Sequence, residues 1–254
     1  MEHLDSRSDF QTDEEFANFR ALIVNNKSST NFFRSASSTS NRYGRAETVK
    51  KVMQKNGIKT VIDLSDLQCE CRSEQFGYSI ALLLNEAMKK PGPYIVQCES
   101  GKKRTGFLCI ILEALSDTSY ENIFKDYFES YKNNNGLDPV CSPEAAKRII
   151  QQKIDSRIEY IMQYDNSTGL VNIRQAAISY LLHFGMTSAE IANLQNALYW
   201  KGLHMGAYFL AFFNNPATYF DFKALYFFRS NPARSANNCF ISKYSLAISG
   251  LARK

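Results

Sequence analysis

The residues whose types and spacing can do chemistry lie together in Gln97-Cys98-Glu99-Ser100-Gly101-Lys102-Lys103-Arg104-Thr105-Gly106. An apolar run, Tyr94-Ile95-Val96, stops at a cysteine. After a loop with a glycine and three consecutive cations, an apolar helix is expected from about Thr105. Strand, loop and helix N-terminus in that order aim several backbone N–H groups at one point, and the helix dipole adds partial positive charge there. An oxyanion fits that cup. On its floor, Cys98 would be expected to ionise with help from the same N–H groups, the dipole and Arg104, and a thiolate beneath a bound phosphate is placed for in-line attack on phosphorus. Arg104, six residues further on, can fold back and grip two phosphate oxygens at once, which a lysine cannot. Thr105 can donate its hydroxyl to the sulfur and make it a better leaving group when water splits the intermediate. Gly101 and Gly106 suit a turn closed to residues with a Cβ, or close helix packing.

Cys-x5-Arg followed by Thr-Gly, after a strand and before an apolar helix, resembles the signature of the protein tyrosine phosphatase superfamily. Other segments resemble the bacterial and fungal tyrosine phosphatases whose loop reads Gly-Lys-x-Arg-Thr-Gly. Phe32-Phe33-Arg34-Ser35-Ala36 is similar to their early Arg-Ser element, residues 57–64 to their first core strand, Lys125-Asp126-Tyr127 to the segment after the loop helix, and 180–198 to the closing helical pair. The resemblance covers roughly residues 30–198. It implies an α/β domain over 31–199, with a cysteine-phosphatase-like central sheet flanked by helices; outside the resemblance lie an N-terminal segment over 1–30 and a stretch over 200–254 read as a helical C-terminal extension. It further implies hydrolysis of phosphate monoesters, phosphotyrosine or phosphoinositide, through a phosphocysteine intermediate. Cys98 is then the nucleophile and Arg104 the clamp, with Glu99, Ser100, Gly101, Lys102, Lys103, Thr105 and Gly106 completing the substrate site. No metal or organic cofactor is implied.

The chain also departs from that pattern. Gln97 stands where the family usually has histidine; it can donate a hydrogen bond but supplies no charge. Lys103 stands where many relatives have an aspartate, and only 34 residues separate Asp63 from Cys98, so the segment that normally carries the general acid is short. Asp66, Glu70, Glu99 and Asp138 are the candidates for that acid, each more readily read as a solvated surface carboxylate. Without an acid, the alternative is a pseudophosphatase that binds phosphorylated protein or lipid without useful turnover. Lys102, Lys103 and Arg104 carry more positive charge than one phosphate monoester needs, which in related phosphatases goes with multiply phosphorylated lipids. Cys69 and Cys71 read either as ordinary buried thiols or as partners for a reversible disulfide with Cys98.

The elements that must position the loop follow from apolar patterning. A short amphipathic helix is expected over 14–24 and a Ser/Thr/Asn-rich loop over 28–42, in which Arg34 can brace the phosphate loop. A helix over 45–56 closed by Gly57 precedes a strand over 59–64 with Asp63 at its exit. Helices follow over 73–90, 105–115, 120–131 and 142–162, and a pair over 171–184 and 187–198 meets at Gly185, with Thr187 and Glu190 spaced as a capping box. That pair also has the outline of a helix-turn-helix, but Ala189 to Leu198 contains no Lys or Arg, so no nucleic-acid partner is expected. With 254 residues, 44% of them hydrophobic and 13% aromatic, the chain can build a sizeable core. Six cysteines without regular spacing, and no charged segment leading into an apolar one at the start, suit a reducing, cytoplasmic location. Residues 200–254 hold seven Lys or Arg against one acid, Asp221. Two readings stand for this stretch: a bundled helical extension, or an aromatic and basic segment for an anionic membrane surface.

Overall fold

The computed structural model describes residues 5–135, 143–165 and 172–199. Four strands, β1 (Arg20–Val24), β2 (Lys27–Ser35), β3 (Thr60–Asp63) and β4 (Tyr94–Gln97), form one sheet in the order β1-β2-β4-β3. β1 and β2 are antiparallel, whereas β2, β4 and β3 run parallel, with Ser35 and Asp63 both level with Gln97. Three parallel strands therefore end along one edge, the place where open α/β sheets bind ligands. β4 lies between two neighbours and all four of its residues are buried, as expected of a strand covered on both faces.

On one face, α1 (Asp13–Phe16) and α2 (Ala46–Lys55) cover the sheet, with Val49 and Val52 packed against Phe19, Ala36 and Ile95. The other face carries α3 (Glu74–Met88), α4 (Lys103–Leu115), α5 (Tyr120–Asn135), α6 (Pro143–Met162), α7 (Ile173–His183) and α8 (Ser188–Leu198). Strand alternation sorts the side chains: Ile95 joins the α2 cluster, while Val96 and Phe32 join the larger core under α3 to α8. Two positions along β2 from Phe32, Arg34 points to that same larger side. α4 sits at its centre, with every residue from Thr105 to Leu115 buried.

The helices expected over 45–56, 73–90, 105–115, 120–131, 142–162, 171–184 and 187–198 all form, the helix after β4 starting at Lys103 rather than Thr105. The Thr187–Glu190 capping box is present. The first 35 residues differ from expectation. In place of one helix over 14–24, the four-residue α1 ends where Asn18 takes a φ of 49°, and β1 follows. In place of a loop over 28–42, residues 27–35 form a nine-residue strand. Asn25 and Asn26, with φ of 48° and 61°, make the two-residue turn whose twist suits a hairpin. Pairing with β1 on one side and β4 on the other then overrides the polar composition. The strand expected over 59–64 forms as β3, at the edge of the sheet with Ile62 buried in the core, and Leu82 of α3 is 63% exposed. Asp138, Ser142, Val171 and residues 200–254 lie outside the described residues. Among the described residues no helix is long and apolar enough to cross a membrane.

Candidate active site

Where β4 ends, Cys98 opens a cavity of about 360 Å³ whose wall includes Cys98, Glu99, Ser100, Lys102, Lys103 and Arg104. Tyr43 and Asn135 also line it. Cys98 is only 2% exposed. The Gly101 N–H donates to the Cys98 carbonyl at 3.1 Å, closing a turn in which Gly101 takes a φ of 65°. Lys102 is the residue preceding the first turn of α4, so the loop leads into a helix N-terminus.

Three successive loop carbonyls are held from outside. The Ser37 N–H donates to the Glu99 carbonyl at 3.3 Å. The Asn18 side-chain amide donates to the carbonyls of Ser100 and Gly101 at 3.2 and 3.1 Å, and Arg34 Nη2 donates to the Gly101 carbonyl at 2.9 Å. In a trans peptide the C=O and N–H point in opposite directions. Pinning the carbonyls of Glu99 and Gly101 therefore turns the N–H groups of Ser100 and Lys102 away from Ser37, Asn18 and Arg34, and both residues line the cavity.

Behind the loop is a buried ionic cluster. Asp126 pairs with Arg34 through Oδ2 and with Arg20 Nε through Oδ1 at 2.7 Å. Arg20 also donates to the Asp126 carbonyl at 2.6 Å and to Ser130 Oγ and Asn18 Oδ1 at 2.7 Å. Burial works against the Asp126 carboxylate, but the two guanidiniums outweigh it and hold its carboxyl below the usual range. Glu113 is buried nearby; burial, with Asp126 adding to it, pushes its carboxyl well above the usual range, while Oε1 accepts from the Ile23 N–H at 3.3 Å. Two arginines against one carboxylate leave a surplus positive charge beneath the loop.

Gln97 sits where a histidine was expected to organise the loop, and it ties the strand ends together. Its Nε2 donates to Asp63 Oδ2 at 2.6 Å and its Oε1 accepts from the Ser38 N–H at 3.2 Å. Arg104 is anchored through Nη1 to the carbonyls of Leu64, Ser65 and Leu67 at 2.8, 2.5 and 2.9 Å. Lys102 is 9% exposed, with Nζ 2.7 Å from Asn135 Oδ1, while Lys103 is exposed. Gly106 lies against Tyr127, whose ring a Cβ there would meet at 2.7 Å. The Thr105 hydroxyl is buried without a hydrogen-bond partner, so the contact to the Cys98 sulfur anticipated from the sequence is not made here.

The carboxylate candidates separate. Glu99 lines the cavity, but its two oxygens accept from Ser40 Oγ at 3.2 Å and Arg42 Nη1 at 3.3 Å. Asp66 and Glu70 are exposed and are not in the wall. Cys69 and Cys71 are both free thiols. Burial pushes the Cys71 thiol up to about 11, with nearby Cys98 adding to it and Arg157 opposing; this favours an ordinary buried thiol over a ready disulfide partner. Among the described residues, no three His, Cys, Asp or Glu side chains come together as a metal site. Sequence reasoning missed the roles of Asn18, Arg20, Tyr43 and Asn135; a lone asparagine or arginine gives no local signal of a contact made across the fold.

Gly101→Ala tests this arrangement. A Cβ there would lie against the Ser35 carbonyl oxygen, 2.5 Å from its carbon and 2.7 Å from the Ala36 nitrogen. These are backbone atoms of the neighbouring strand end and cannot swing aside. With the positive φ adding its own strain of about 1–2 kcal/mol, the variant should unfold at least about 2 kcal/mol more easily. It should also lose protection by inorganic phosphate in thermal melts; an unchanged melt would show that the loop tolerates a different path.

Residues 9–199 match a family model described as the tyrosine phosphatase family. The sequence matches no curated protein.

Proposed function

Because the chain belongs to the tyrosine phosphatase family, and with it to the phosphatases, we propose that it hydrolyses phosphate monoesters through a phosphocysteine intermediate. The observation that carries this reading is the juxtaposition of Cys98, Ser100, Lys102 and Arg104 in the wall of one cavity, with the loop carbonyls held by Ser37, Asn18 and Arg34. Phosphate oxygens would take the place that the pinned carbonyls leave to the N–H groups. With Arg104 Nη1 occupied by the carbonyls after β3, Nε and Nη2 form the edge that can grip two oxygens. As the Cys98 sulfur bonds to phosphorus and the ester oxygen leaves, charge grows on oxygens already surrounded by donors that need no rearrangement. The surplus positive charge of the Arg20–Asp126–Arg34 cluster acts in the same direction from behind.

The substrate we propose is a phosphotyrosine or phosphoinositide. Lys102, Lys103 and Arg104 in the wall favour a ligand with more than one negative group, and Tyr43 offers an aryl face at the same cavity. A second reading has one observation in its favour: Glu99, the carboxylate in the wall, is engaged by Arg42 and Ser40, so the cup could bind a phosphoester without turning it over.

Phosphate release from phenyl phosphate and from a phosphotyrosine peptide, combined with acid quenching of the reaction within its first turnover, separates the two. Turnover with a trapped phosphoenzyme that survives acid and is lost on iodine treatment is the expected result. Tight binding of the peptide with no release would establish the reader instead.

A further inference from the structure

We propose that Lys102 is the proton donor of this site: its ammonium protonates the ester oxygen as the P–O bond breaks, and the resulting amine takes a proton from the water that splits the phosphocysteine. The inference rests on the phosphatase reading above. Among the described residues that reading leaves proton delivery without a carboxylate owner, because Asp66 and Glu70 are outside the wall and Glu99 is tied as an acceptor to Arg42 and Ser40; Asp138 lies outside the described residues. Arg104 cannot give up a proton at working pH.

Lys102 has the placement such a group needs. It belongs to the loop itself, four residues after Cys98, and lines the cavity with it while being 9% exposed. Asn135 Oδ1 takes one of its hydrogens at 2.7 Å, and the Tyr131 ring lies 5.0 Å from Nζ. Three donors are present on an ammonium, so these two partners fix the head group and leave a hydrogen for a ligand. Both partners come from α5, and the opposing charges come from other elements: Lys103 from α4, Lys153 from α6 and Arg45 from the residue before α2. Lys153 shares the Tyr131 ring, 4.8 Å from its centroid.

Burial, followed by the charges of Lys103, Lys153 and Arg45, lowers the Lys102 ammonium to about 8, with Cys98 acting the other way. An acid of that strength is protonated at neutral pH and is stronger than a phenol, whose pKa is about 10, or an alcohol, so transfer to either leaving group is downhill. A bound phosphate dianion favours the charged form and keeps the proton in place until the bond breaks. The balance closes. The sulfur's electron pair forms S–P, the P–O pair leaves on oxygen and takes the Nζ proton, and an alcohol and a neutral amine result. Water then forms the new O–P bond, gives a proton to the amine, and the S–P pair returns to sulfur.

The test uses the full chain and two esters that differ in their need for a proton, phenyl phosphate and p-nitrophenyl phosphate. Lys102→Arg keeps the charge and the hydrogen bonding but cannot deliver a proton. It should lower kcat on phenyl phosphate about 100-fold more than on p-nitrophenyl phosphate. In the native chain kcat/KM for phenyl phosphate should fall as pH rises through about 8, the direction required when the protonated form acts. That limb should be absent in the variant. Equal losses on both esters with the limb retained would make Lys102 a binding residue and overturn the proposal. The native profile decides independently of whether the variant folds: a kcat/KM flat through about pH 9 also overturns it. If the native chain hydrolyses neither ester, the phosphatase reading fails together with this one, whereas turnover without the limb overturns Lys102 alone.

Discussion

Cys98→Ser is expected to lower phosphate release from aryl esters by about 10⁴-fold or more, with binding of the ester retained. The hydroxyl would occupy the same place at the end of β4, 2% exposed and beneath the same N–H groups. A serine hydroxyl there stays un-ionised at neutral pH, and Lys102 in the wall is protonated when the ester binds. Folding should be little affected, because the sulfur is replaced by a smaller atom at a site that already faces a polar cavity. The paired measurement is steady-state hydrolysis of phenyl phosphate and isothermal titration of a phosphotyrosine peptide into the variant. A variant that turns over within tenfold of the native rate would remove Cys98 from the chemistry.

The second large effect is expected at a residue that touches no ligand. Asp126→Ala leaves Arg20 and Arg34 buried around an empty centre, and Arg34 has 0% exposure. Removing one partner of a buried ion pair costs about 3–5 kcal/mol, a large share of the roughly 5–15 kcal/mol that holds a domain folded. The damage should reach the cup as well, because Arg34 holds the Gly101 carbonyl and Arg20 orients Asn18. Denaturant midpoints together with the Kd for inorganic phosphate check this, and Asp126→Asn should fall between the two. A midpoint shifted by less than about 1 kcal/mol would mean that the cluster is solvated and does not brace the loop.

Much of this site could be read from spacing because its parts are adjacent in the chain. The cysteine, the glycine, the cations and the helix start form one continuous stretch, and local rules of turns and helix termini apply to it directly. Arg34 could be suspected as a brace. Asp126 lay in a segment whose resemblance was noted, but its role depends on the register of β2 beside β4 and on the packing of α5, neither of which is local. The hairpin of β1 and β2 was missed for a similar reason. Its polar outer half has the composition of a loop, and only the Asn25-Asn26 turn signalled that the chain doubles back. The family match starts at residue 9, ahead of that hairpin, and Asn18 and Arg20 belong to the same region. Carboxylates are the usual general acids; the setting that makes Lys102 a different kind of candidate depends on Tyr131 and Asn135 of α5 and on Lys153 of α6, none of which is near it in the sequence.

α4 has a further consequence. Eleven consecutive residues of the helix that begins at the cup are buried, so the cup is mounted directly on the core. Many enzymes lose their active site on warming well before the rest of the structure melts, because the site rides on loops and lids. Here the two share a fate. On warming, loss of the cup's phosphate binding and loss of the core are therefore expected to follow one another closely.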